Sequence, residues 1–266
     1  MRKTKNEVFF NARLKYYPTL DGKLEAHELL VFPEPTFKEQ GWEVADDIPS
    51  VRKKKSDEPD SDSARKARGR AKNRLFDLLM SNRDIDYFVT LTFDPDKVDR
   101  MSYDDVIKKL GTWLDNKSRR QGLRYILCPE YHKKGGIHFH GFMNCESLKL
   151  EAARSPHTGR LLKTSGKKQI YNIESFPLGF TTAVMIGEDE REREAVAKYV
   201  YKYITKSDAK IGGRYYLHGG ELREPVTKLF DLNYFDVPAD AVSTDWGEFK
   251  RIRTPQEIAK LTFLGE

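Results

Sequence analysis

Cysteine is scarce in this 266-residue chain: only Cys128 and Cys145 occur. Two thiols build no disulfide framework, and the composition is that expected of a protein kept in a reducing cytoplasm. Long apolar runs are also missing. No stretch approaches the roughly 20 apolar residues of a membrane-spanning helix, so no membrane partner is expected. The basic start Met1-Arg2-Lys3-Thr4-Lys5-Asn6 has no apolar segment behind it, which speaks against a secretory signal. A G-x-x-x-x-G-K-[ST] phosphate loop is absent, so no helicase-type ATPase is expected. What is present is 38% hydrophobic and 33% charged sequence, enough for a soluble chain with a modest core. The formal net charge is +6 with a pI near 9.0, which favours a polyanionic partner.

Hydrophobic periodicity orders the chain into elements. Residues 7–17 and 24–32 are β-prone runs around Asp21-Gly22, the signal of a hairpin; it reads equally as an added module or as an extra edge of a main sheet. Residues 51–63 lack periodic apolar residues and read as a linker. A helix is expected over 64–80. Its first half carries Arg65, Lys66, Arg68, Arg70, Lys72 and Arg74; its second half is rich in leucine and phenylalanine. Such a charge run is commonly a solvated face, but six cations without an acid among them favour phosphate contact. A strand is expected over 86–93, a helix behind the N-cap Ser102, strands over 123–130 and 137–143, and a polar insertion over 146–172. Beyond that come a strand over 180–186, a helix over 188–206 that starts acidic and ends basic, a short strand over 214–217, and a last helix over 255–264.

Three pieces carry chemistry. The first is His138-Phe139-His140. On a strand the two imidazoles share a face and Phe139 takes the other. Alone, the motif reads equally as an exposed polar face with incidental histidines. With Glu130 on the neighbouring hairpin strand it becomes a mixed O/N ligand set suited to Mn2+ or Mg2+. A Cys/His zinc site competes, but neither cysteine spacing makes the paired knuckle. The second piece is Tyr199-Val200-Tyr201-Lys202-Tyr203-Ile204-Thr205-Lys206. On a helix Tyr199 and Tyr203 are i,i+4 neighbours, with Lys202 and Lys206 three residues after each; an amphipathic core helix would give a similar pattern. The third is the strand with Thr90 and Thr92, which can line the same sheet face as the histidines.

In this order the three pieces resemble the HUH endonuclease superfamily, and within it the rolling-circle replication initiators (Rep proteins) of bacterial phages and plasmids. Those proteins carry a motif like Phe-Val-Thr-Leu-Thr-Phe, then histidine–hydrophobic–histidine, then Tyr-x-x-Lys on a helix. Here the last motif occurs twice, which is similar to the two-tyrosine form. The blocks Tyr-His-Lys-Lys-Gly-Gly and Gly213-Arg214-Tyr215-Tyr216 are also similar to those of such proteins. The resemblance covers residues 64–222, leaving residues 1–50 as an N-terminal hairpin extension of unknown role and 223–266 as a C-terminal tail.

The resemblance implies an α+β fold: a ferredoxin-like (RRM-like) antiparallel sheet with helices packed on one face and the tyrosine helix meeting the histidines at one metal. It implies nicking and rejoining of single-stranded or hairpin origin DNA through a 5′-phosphotyrosine. Tyr199 and Tyr203 would be nucleophiles, and Lys202 and Lys206 phosphate or phenolate partners. His138, His140 and Glu130 would be ligands of Mn2+ or Mg2+. The basic residues of 65–74, with Thr90 and Thr92, would contact DNA. A host helicase and polymerase in a bacterial cytoplasm would complete the process. The competing expectations are an HUH relaxase or single-strand transposase, and a single-stranded nucleic-acid binding module without chemistry.

Overall fold

The computed structural model of the chain describes residues 7–39, 61–132, 135–145, 148–187, 189–206, 211–244 and 247–264. Residues 51–60 of the expected linker lie outside them, as do Lys133 and Lys134 of the expected turn. The chain divides into two compact units, Pro59–Arg223 and the remainder, Met1–Glu58 with Glu224–Glu266.

In the second of these, strands β1 (Glu7–Pro18) and β2 (Leu24–Glu39) form the expected hairpin. Gly22 supplies the positive φ of 80° that its turn requires. The hairpin is no edge of the histidine-bearing sheet, because it belongs to a sheet of its own.

The unit Pro59–Arg223 opens with helix α1 (Ser61–Ser81), so residues 61–63, read as linker, are helical instead. Its second half buries Leu75, Leu78 and Leu79, and α1 packs on the tyrosine helix described below. Strand β3 (Tyr87–Phe93) alternates buried and half-buried positions along its whole length. Helix α2 (Tyr103–Gln121) is held at its start by Ser102 Oγ, which accepts from the Asp105 amide at 3.4 Å, and at its end by Gly122 in the left-handed region. Strands β4 (Tyr125–Tyr131) and β5 (Ile137–Met143) form the next hairpin.

The polar stretch 146–172 is more ordered than its composition suggests: β6 (Leu150–Ala152) and β7 (Ile170–Ile173) pair and extend the sheet. Strand β8 (Gly179–Met185), helix α3 (Glu190–Lys206) and strand β9 (Leu217–Gly219) complete the unit. The strand expected over 214–217 begins only at Leu217; the left-handed pair Gly212-Gly213 turns the chain just before it.

The antiparallel sheet runs β6-β7-β8-β3-β5-β4-β9. Strand β5 lies between β3 and β4, which α2 connects, so the centre is a split β-α-β unit and the order β8-β3-β5-β4 is ferredoxin-like. One face packs Val89, Leu91, Phe93 and Phe139 against Val106, Leu110, Trp113 and Leu114 of α2. Trp113 is pinned by its Nε1–H, which donates to the Ser175 carbonyl at 2.9 Å. Helix α3 lies on the opposite face, where the histidines are. This α+β arrangement is compatible with the HUH-like fold.

Residues 223–266, read as a tail, supply strands β10 (Val226–Leu232), β11 (Val242–Thr244), β12 (Gly247–Arg251) and β13 (Phe263–Leu264), which join β1 and β2 in the order β11-β12-β2-β1-β10-β13. The last helix, α4, spans only Pro255–Ala259, because the chain after it returns to pair as β13. Ala12, Leu14, Leu29, Val31 and Leu232 are the core of this unit.

Candidate active site

Period 2 places His138 and His140 on one face of β5 and Phe139 on the other. Phe139 is fully buried and meets Phe93 edge-on at 6.1 Å. Its burial contributes about 2–3 kcal/mol and fixes which way the histidines face. The next residue must be small: a Cβ on Gly141 would lie 1.9 Å from the Ile126 carbonyl oxygen, so β4 approaches this closely only over glycine. Register then pairs Glu130 with His138 and Cys128 with His140 on one side of β5, and Thr92 with His138 and Thr90 with His140 on the other.

The side chains follow that register. Thr90 Oγ1 lies 3.1 Å from His140 Nδ1, and Thr92 Oγ1 lies 3.3 Å from His138 Nδ1. A ring that donates its Nδ1–H to a threonine oxygen presents the Nε2 lone pair, the arrangement of a ligating histidine. The two hydroxyls expected at DNA are therefore engaged with imidazoles. His140 Nε2 stands 3.0 Å from Glu130 Oε2. Burial pushes the His140 imidazole down to about 4 against the opposing pull of Glu130, so the ring is neutral at pH 7. Burial, with His132 next, also lowers His138.

A neutral imidazole nitrogen and a carboxylate oxygen at 3.0 Å suit neighbouring positions around an ion with ligand bonds of about 2.1 Å. These donors fit a divalent ion on the His140 side. The His138 side is more open, its ring centroid 6.4 Å from that of His140. Cys145 is buried in the core behind the sheet, and burial raises both thiols, so a Cys/His zinc site is disfavoured.

Helix α3 brings its tyrosines onto this face. Val200 and Ile204 are buried, which fixes the rotation of the helix. The Tyr203 ring stacks on His140 at 4.2 Å with only 5° between the planes. Its hydroxyl donates to that of Tyr199 at 3.3 Å. Tyr199 packs edge-on against Phe88 at 5.7 Å. Lys202 Nζ sits 3.4 Å from the centroid of the Tyr199 ring and 4.7 Å from that of Tyr203. Tyr201 turns to α1, where Lys72 Nζ is 5.8 Å from its ring. Lys206 ends the helix, and its side chain lies outside the described residues.

The environments of the two tyrosines differ. The bond with Lys202, then that with Tyr203, holds the Tyr199 phenol below its ordinary value. Burial, then the bond to Tyr199, pushes Tyr203 well above it. A bound anion or phosphoester near Tyr199 would meet a lysine ammonium; one near Tyr203 must first displace buried packing.

Glu130, His138, His140, Thr90, Thr92, Tyr199, Lys202 and Tyr203 thus lie on one sheet face. Arg65, Lys66, Arg68, Arg70, Lys72 and Arg74 lie on the adjoining helix α1, Arg65, Lys66 and Arg70 being exposed. Sequence reasoning missed His132, whose ring centroid is 5.0 Å from that of His138; its period-2 spacing from Glu130 was the available signal. It also missed Arg193, for which an arginine in an acidic first turn gave no signal.

Residues 86–208 match the model of a family of replication-associated proteins, those of the ORF2 type. The matched segment contains every residue of the sheet-face site. No curated protein matches the chain, and no solved structure does.

Proposed function

We propose that this chain is a rolling-circle replication initiator that cuts and rejoins single-stranded origin DNA through a 5′-phosphotyrosine. The observation that supports this most is the tyrosine pair set directly against the Glu130–His140 pair, within the segment matched by a replication-associated family.

Glu130, His138 and His140 would hold Mn2+ or Mg2+, which when bound supplies polarisation of the scissile phosphate. Thr90 and Thr92 orient the two imidazoles from their Nδ1 side. Tyr199 is the first nucleophile. It is half exposed, it accepts the Tyr203 hydrogen bond, and Lys202 favours its phenolate. Its Oη attacks phosphorus in line as the phenolate, the P–O3′ bond breaks, and the proton given up by the phenol ends on the 3′ oxygen, which leaves as a free 3′-OH. Lys202 balances charge on the phenol and the phosphoryl oxygens. Tyr203 serves the second transfer, once the first phosphoester has engaged Tyr199 and removed its hydrogen-bond acceptor. Basic residues of α1 hold the strand's phosphates. A host helicase and polymerase in a bacterial cytoplasm would extend the free 3′ end.

The test is a nicking assay with labelled origin oligonucleotides, with Mn2+ and with EDTA, followed by mass mapping of the covalent peptide. An adduct on Tyr199 in Mn2+ and none in EDTA is the expected result. Bound but intact strands would overturn the nickase and leave a single-strand binding module.

A further inference from the structure

Outside the sheet-face site, the segment after α3 borders an open cavity of about 320 Å³ lined by Arg214, Tyr215, Tyr216 and His218. Among the described residues the lining carries one guanidinium, two phenols and an imidazole. Two contacts fix its walls. Gly212, at a φ of 56°, nests so closely on the Tyr103 ring that a Cβ would lie 1.8 Å from a ring carbon. Leu217, on the far side of the segment, packs on the core behind the sheet. The rings of Tyr216 and His218 stand 5.7 Å apart at 41°, while Arg214 and His218 are exposed.

Register places one wall of this cavity, His218, relative to the sheet-face site. His218 pairs with Ile126, and Ile126 with Phe142, so His218 shares the sheet face of Glu130 and His140. It lies two strands over from His140 and two residues along, about 12 Å at ordinary sheet spacings. A few nucleotides bridge such a gap.

We infer that the Arg214–Tyr216–His218 cavity is a subsite for one nucleotide of the single strand flanking the cut, its base against the Tyr216 and His218 rings and its phosphate at Arg214. Aromatic faces hold bases with little regard to sequence, and a guanidinium pairs with phosphate oxygens. The volume is near the lower end of the about 300–1,000 Å³ typical of small-ligand sites, which suits a single nucleotide. Among the described residues β9 is the edge of the sheet, so the strand can leave the site over it without obstruction from a further strand.

The inference rests on the proposed single-strand substrate, and its test is kept apart from cleavage by working in EDTA with the full chain. The probes are a labelled thymidine oligonucleotide and the same backbone with abasic positions. Tyr216→Leu is expected to weaken binding of the thymidine strand about tenfold, within the range for losing one base stack, and to leave the abasic strand unchanged. Arg214→Gln is expected to weaken both strands and to flatten the salt dependence. Wild-type affinity in both variants, or equal weakening of both strands by Tyr216→Leu, would overturn it. Wild-type protein provides the check that does not depend on a variant folding: a 5-iodouracil strand should photo-cross-link within residues 214–218, and cross-links only elsewhere would also overturn it. Loss of nicking with this binding pattern intact would defeat the nickase proposal alone.

Discussion

The Tyr203 hydroxyl donates to the Tyr199 hydroxyl across 3.3 Å, and that bond makes two tyrosines of one helix face unequal. Tyr199 is 49% exposed and Tyr203 5%. The donor is held in place by its stack on His140, and the acceptor belongs to the more exposed residue.

Tyr199→Phe should therefore abolish initial cleavage, lowering single-turnover nicking by at least about 100-fold, because Tyr203, the other tyrosine on this face, is buried. Tyr203→Phe removes one hydrogen bond to the attacking oxygen. Initial nicking should fall only about 3–10-fold, the equivalent of one such bond, while strand rejoining should be lost. Rapid-quench assays of the two half-reactions separate these effects. Equal first-step losses in the two variants would refute the order of attack.

Thr90 Oγ1 reaches His140 Nδ1 at 3.1 Å. Thr90→Val keeps the volume and removes the orienting oxygen. Loss of such an outer partner ordinarily costs about 10–100-fold in metal affinity. Calorimetric titration with Mn2+ should show that weakening, and raised Mn2+ should restore nicking. Glu130→Gln, which removes the ligand charge, should not be rescued in this way.

Arg193 is 2% exposed, and its Nη2 donates to the carbonyls of Leu79, Asn82 and Ile85, each at 3.1 Å. One guanidinium thus ties the start of the tyrosine helix to the end of α1 and the entry to β3. Burial pulls it down to about 10, yet it stays charged at neutral pH. Arg193→Met removes the charged donor from all three carbonyls, of which those of Leu79 and Asn82 keep only the backbone amides of Asn82 and Ile85, and should cost about 3 kcal/mol in urea unfolding of the full chain. Nicking by the fraction still folded should fall as well, since the tyrosines lose their anchor.

The contrast between Arg193 and His140 shows what the sequence made legible. His138-Phe139-His140 follows period 2, and that period alone places the imidazoles together and Phe139 in the core. The tyrosine spacing follows the helical period in the same way. Both motifs are local, so the chain states them directly. The three acceptors of Arg193 lie more than 100 positions away, and no local pattern encodes such a contact. The same limit hid the role of residues 223–266. Their strands are short and pair with a hairpin some 200 positions earlier, so their alternation reads as a mixed tail. The 146–172 insertion also concealed its strands, because β6 has only three residues and β7 four.

The basic half of α1 should act through phosphate contacts. Replacing Arg65, Arg68 and Arg70 together with Gln should reduce the slope of log affinity against log salt by up to about 0.7 for each single-strand phosphate no longer neutralised. The apolar half of the helix is untouched, so thermal stability should hold. Fluorescence anisotropy over a salt series in EDTA makes the measurement. An unchanged slope would return this helix to an ordinary solvated face.

Asp84, in the loop from α1 to β3, holds Arg124 Nη1 at 2.6 Å through one oxygen and Arg223 Nη2 at 2.6 Å through the other. Burial alone would raise its carboxyl, but the two guanidinium groups outweigh it and keep the carboxyl below its ordinary value. A carboxyl depressed in the folded state contributes stability above its unfolded value, and loses it as pH falls through the folded one. Asp84→Asn should thus be less stable than wild type at pH 7, by about 1 kcal/mol after allowing for solvent screening at a side chain 32% exposed. As the pH drops below about 4, the unfolded carboxyl protonates first and the two melting temperatures should converge. Thermal unfolding of both proteins across that range decides it. A gap that persists in acid would mean that the asparagine perturbs packing, and that the Arg124–Asp84–Arg223 charges are not what joins this loop to β4.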